Sequence, residues 1–132
     1  MKIYETNHYF IQVDQEKNLI LIRPVGFWSS SDDVSGYLPT IRQALDHELQ
    51  AGFLVICDLA QMKSATKDIR DNIHAQASLE VLKRSVKATV IVSPESAITR
   101  MQIESLRKAY IDKPIKQVGT VEEAYTFLEQ YR

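Results

Sequence analysis

Apolar positions fall into two alternating patterns along this chain. Short β-branched and aromatic runs, "HYFIQV" and "NLILIRPVG", predict two strands, and the polar stretch Asp14 to Asn18 between them implies an antiparallel hairpin. Leu19 to Ile22 is continuously apolar, which predicts burial on both faces of a sheet. The period then changes. Val34, Leu38, Ile41, Leu45 and Leu49, joined by Tyr37, recur every three or four residues and form one face of a helix. Ser29 to Asp33 offer its N-cap, and Gly52 is placed as its C-terminal cap. Pro39 is comfortable only in a first turn, so the regular helix starts near Ser35 or an earlier turn is kinked.

The alternation continues to the end of the chain. "FLVICDL" predicts a buried strand, and a helix is expected to begin between Ser64 and Asp68 and to run to Lys83. "VKATVIVS" is a further buried strand, followed by a helix over "PESAITRMQIESLRKAY", opened by Pro94 and Ser96. "KPIKQVG" reads as a short edge strand. "TVEEAYTFLEQY" reads as a closing helix in which Thr120 and Glu123 form a capping box. The predicted fold is α/β in the order ββαβαβαβα, about five strands and about four helices. After the hairpin a helix separates every pair of strands, which demands parallel pairing through right-handed crossovers. There is no internal repeat, linker or low-complexity tract. One domain over residues 1–132, with its core over about 9–131, accounts for the pattern.

Length and composition agree with this. A chain of 132 residues with 45% hydrophobic and 25% charged side chains is an ordinary globular sequence. A domain this size buries about two-thirds of its unfolded surface without needing metals or disulfides. The single cysteine, Cys57, excludes an intrachain disulfide and suits a reducing compartment. No apolar run approaches the roughly 20 residues of a membrane helix, and "MKIYETNHYF" lacks the features of a signal peptide. The expectation is a cytoplasmic protein without membrane insertion. Charge is uneven: residues 1–59 carry net −4, residues 60–118 net +5 and residues 119–132 net −2. No basic run is interleaved with aromatics, which argues against nucleic acid as a partner.

The chain offers little catalytic chemistry. His8, His47 and His74 have no metal-ligand spacing, and Cys57 lies inside an apolar strand, where a cysteine is a small core residue. No phosphate loop, dinucleotide fingerprint or nucleophile elbow is present. No catalytic residue, metal or cofactor is expected.

One stretch carries a resemblance. "VICDLAQM", an apolar strand ending in Asp-Leu-Ala inside this order of elements, resembles the STAS domain, the fold of anti-sigma-factor antagonists and of sulfate-transporter tails. In that family the strand typically ends in Asp-Leu-Ser, and an Asp-Ser-Ser/Thr-Gly phosphorylation motif follows. Counted without gaps, this motif falls on Thr66, Lys67, Asp68 and Ile69, with neither serine nor glycine. Ser64 and Thr66 are the nearest hydroxyls. The sequence therefore looks closer to divergent SpoIIAA-like proteins that lack the phosphoacceptor. The resemblance implies a regulatory module without enzymatic activity.

Ligands of parallel sheets sit beyond the carboxyl ends of the strands. There Lys63, Ser64, Thr66 and Lys67 can supply donors for an anion, or can simply cap a helix and meet solvent. Phe27 and Trp28 can line an apolar pocket, anchor a partner or close the core. In the helix to Lys83, Ile69, Ile73, Ala77 and Val81 form one apolar stripe, while Ala75, Leu79 and Leu82 lie nearly opposite and offer a partner or homodimer surface. Alternatively, the helix bends near Ser78 and Leu82 turns inward. Two functions follow: a module binding a partner protein or itself, and a receptor for a small apolar or anionic ligand. An enzyme ranks last.

Overall fold

The computed structural model describes residues 1–28, 35–65, 73, 75–93, 108 and 114–131, and among these are eight strands, most of them short apolar runs bounded by turns. The strands are β1 (Lys2–Glu5), β2 (Tyr9–Asp14), β3 (Leu19–Pro24), β4 (Gly26–Trp28), β5 (Phe53–Asp58), β6 (Met62–Ala65), β7 (Val86–Val92) and β8 (Ile115–Val118). Among the described residues the helices are α1 (Tyr37–Gln43), α2 (Ala75–Leu82) and α3 (Val121–Leu128). Six strands form the main sheet in the order β1-β2-β3-β5-β7-β8, and β4 and β6 form a separate two-stranded ribbon.

The β2–β3 hairpin is antiparallel, as its short turn requires. Asn18 closes it at φ 52°, a left-handed conformation that asparagine tolerates. From β3 onward every pairing in the main sheet is parallel, with Leu21 opposite Ile56 and Ile56 opposite Val90. Phe53–Asp58 is thus an interior strand, which explains its unbroken apolar sequence. On one face Ile11, Ile20, Ile22 and Val55 pack with Trp28, Tyr37, Ile41, Leu45 and Val81. On the other, Leu21, Ile56, Val90 and Val92 pack with Ala124 and Leu128 of α3. Thr120 caps α3 by accepting the Glu123 N–H at 3.2 Å, as the capping box predicts.

Several local expectations change. The sheet has six strands rather than five, because Lys2–Glu5 adds an outer strand with Lys2, Ile3 and Glu5 exposed and no apolar period to announce it. Three helices are described where four were expected, and the helix predicted over 94–110 falls almost wholly outside the described residues. Residues 62–65 are strand, so no helix starts at Ser64. The first helix starts at Tyr37, which leaves Pro39 in its first turn, where a missing N–H costs nothing. It then widens into a π-helical turn over Ala44–Glu48, closed by Leu49 N–H to Ala44 C=O at 3.0 Å. Leu49 is already extended, so Gly52 does not cap this helix. With φ 81°, Gly52 instead turns the chain into β5.

Candidate functional site

The parallel strands β3, β5, β7 and β8 end along one edge, where Arg23, Asp58, Ser93 and the Gly119–Thr120 turn meet solvent or the connecting loops. Asp58 explains the Asp-Leu-Ala sequence. Its side chain is almost wholly buried, and Oδ1 accepts the Ala60 N–H at 3.0 Å, a local turn typical of aspartate. Oδ2 accepts the Arg23 Nε–H at 2.8 Å. Leu59 N–H then bonds Val92 C=O, and Gly26 N–H bonds Gln61 C=O, so the loop is tied to both β7 and the start of β4. Nearby, buried Ser93 accepts from Gln117 Nε2 at 3.0 Å. Among the described residues these groups already have partners, and no group of three or more His, Cys, Asp or Glu side chains is placed to hold a metal ion.

The ribbon brings two of the sequence candidates together. Gly26, at φ 73°, bends the chain out of β3, and β4 pairs parallel with β6 so that Phe27 lies opposite Ser64 and Trp28 opposite Ala65. Neighbouring residues in a strand point to opposite faces, and here the consequence is complete. Trp28 is fully buried, donates Nε1–H to His8 C=O at 2.9 Å, and meets the Tyr37 ring edge-on at 4.8 Å. It therefore does not line an open pocket. Phe27 is 63% exposed. Lys63 and Ser64 lie within β6, while Thr66 and Lys67 lie outside the described residues.

Two nucleophile-type groups lie under the same edge. Burial pushes the Cys57 thiol up to about 12, with Asp58 adding to the effect, so the sulfur is protonated at neutral pH. Burial likewise raises the Tyr37 phenol well above its ordinary value, and Cys57 contributes. Neither is a ready base or nucleophile.

On α2 the two proposed stripes separate. Ala77 and Val81 are buried, and Leu79 is 46% exposed. Leu82 is 2% exposed, because the helix ends there and the side chain turns into the core. It is not a partner surface. Of that group, Leu79 is exposed, and Ala75 opens the helix.

Away from this edge, Glu80 gathers three cations: Arg84 at 2.7 Å, Lys83 at 3.0 Å and Arg42 at 3.4 Å. Arg84, then Lys83, hold its carboxyl down to about 2. The cluster joins α2 to α1 and its π-turn, where Asp46 also binds Arg84 at 2.9 Å. A shallow cavity of about 260 Å³ beside it, lined in part by Leu45, Leu49, Phe53 and Arg84, lies at the opposite end of β5 from Asp58.

No family model matches the chain, and no curated protein matches it. Solved structures do. One is an uncharacterized protein of the DUF3478 family with a SpoIIAA-like fold from Shewanella loihica PV-4. It shares 15% identity, with 96% of this chain and 99% of that chain covered and a TM-score of 0.63. Another is the anti-sigma factor antagonist SpoIIAA in its unphosphorylated form, also at 15% identity, with coverage of 92% and 97% and a TM-score of 0.56. The fold is SpoIIAA-like. The leading hairpin and the succession of parallel strands are what the SpoIIAA-like reading of "VICDLAQM" required. No described helix is long and apolar enough to cross a membrane.

The pairing of Arg23 with Asp58 was missed from sequence, although a signal was present. Arg23 follows Ile22, Asp58 follows Cys57, and Ile22 pairs with Cys57. Two opposite charges, each ending an apolar strand, become neighbours once those strands are adjacent and parallel.

Proposed function

We propose that this SpoIIAA-like chain is a non-enzymatic regulatory module that binds a partner protein, using the exposed Phe27 of β4 at the carboxyl end of the sheet. The observation that carries this reading is the match over nearly the full length of both chains to a protein described as an anti-sigma factor antagonist. Phe27 supports it as the contact. A large aromatic side chain is costly to leave in water, and one fixed on a strand beside a buried tryptophan loses little further entropy on binding. The protonated Cys57 and Tyr37 support a role without catalysis. A reducing cytoplasm suits the lone thiol. Self-association through Leu79 is the homodimer form of the same reading.

The test is affinity capture with the full chain, compared with Phe27→Ser, followed by titration of purified captured protein. Sedimentation of the wild-type chain and Leu79→Ser runs in parallel. The reading expects a stoichiometric complex weakened at least about tenfold by Phe27→Ser, since interface anchors contribute about 2 kcal/mol or more. A monomer that titrates with no captured protein refutes it.

A further inference from the structure

We infer that Arg23 is a preformed binding point for a ligand carboxylate at the carboxyl end of the sheet. Its guanidinium is held on two sides. Nε donates to Asp58 Oδ2 at 2.8 Å, while the other Asp58 oxygen is occupied by the Ala60 N–H. The buried aspartate is therefore fixed and does not swing round to take the rest of the guanidinium. The guanidinium carbon also lies 5.3 Å from the centre of the Phe10 ring, within cation–π range. Among the described residues neither terminal nitrogen of Arg23 has a hydrogen-bond or ion-pair partner. The side chain is 25% exposed, so these donors are reachable from solvent yet partly desolvated.

The contrast with Arg84 shows what is unusual. Arg84 spends Nε and Nη2 on Asp46 and Nη1 on Glu80, leaving no nitrogen unengaged. Arg23 spends Nε alone. Its two terminal nitrogens then present parallel N–H bonds at the spacing of carboxylate oxygens. Asp58 already offsets the charge, so long-range attraction for a free ion is weak and recognition rests on the fork and on the Phe10 flank. The ligand class that fits is a carboxylate on an apolar frame. Carboxylate binding at Arg23 does not depend on the chain having a protein partner.

The experiment titrates the full chain, carrying ¹⁵N-labelled arginine, with benzoate, with benzamide and with inorganic phosphate, following the Arg23 side-chain resonances. A saturable Arg23 shift with benzoate and none with benzamide is expected, a comparison that needs no variant. Arg23→Lys keeps a cation beside Asp58 but loses the fork. It should bind benzoate at least about tenfold more weakly, the scale of one charge-assisted hydrogen bond, read from backbone amides around Asp58. No saturable shift at Arg23, an equal response to benzamide, binding of phosphate alone, or full affinity in Arg23→Lys overturns the inference.

Discussion

Replacing Asp58 by asparagine removes the charge at the centre of the carboxyl-end edge while keeping its shape. The carboxylate holds two bonds, to Arg23 Nε at 2.8 Å and to Ala60 N–H at 3.0 Å. An asparagine oxygen retains one of them, so the loss is about one charge-assisted bond, roughly 1.5–3 kcal/mol. Arg23 is 25% exposed and recovers hydration, which keeps the cost at the lower end, about 2 kcal/mol. For a chain of this length, that lowers Tm by roughly 6–10 °C. The reverse change, Arg23→Gln, is worse. The Asp58 side chain is only 4% exposed, and the variant leaves its charge buried and unpaired, at a cost of about 3–5 kcal/mol. Urea denaturation of both single variants and the double variant gives the coupling directly. The predicted order is wild type, Asp58→Asn, Arg23→Gln, with coupling above about 1 kcal/mol. Equal single-variant costs, or coupling near zero, refute the reasoning.

Leu82→Ala should cost about 2–5 kcal/mol as a core truncation, whereas Leu79→Ala should stay within about 0.5 kcal/mol; equal costs by denaturation contradict the assignment of these two faces of α2. Trp28 should emit at short wavelength and resist acrylamide quenching; a red-shifted, quenchable emission contradicts its burial. Glu80 has a folded pKa of about 2, below the ordinary carboxylate value of about 4.3, so its contribution to stability is present above that value and is lost as pH falls toward 2. Solvent around Lys83 and Arg42 screens the effect. Urea midpoints of Glu80→Gln and wild type should therefore converge between pH 4.5 and 2, and a constant gap contradicts this linkage.

The architecture was legible because the interior strands are nearly pure apolar runs. Leu19 to Ile22 and Phe53 to Cys57 have no polar alternation, and only a sheet covered on both faces accommodates that. The β4–β6 ribbon was not legible. Met62–Ala65 has neither apolar alternation nor length, and it is strand because Gly26 bends β4 alongside it. At Phe27 and Trp28 composition indicated two aromatics at a strand exit, but which one is buried depends on strand phase, and phase is set by that pairing. Leu82 was ambiguous for a similar reason, since the helix period alone does not show where the helix ends. Arg23 and Asp58 needed the β3–β5 register, a tertiary fact written in neither strand by itself.

Every reading of the carboxyl-end edge depends on β5 lying parallel between β3 and β7, with β6 beside β4. Interstrand NOEs on uniformly labelled protein test this most directly. Contacts consistent with parallel pairing of Leu21 with Ile56, Ile56 with Val90 and Phe27 with Ser64 are predicted. Antiparallel contacts for residues 53–58, contacts from only one neighbouring strand, or no contact between 26–28 and 62–65 contradict the account.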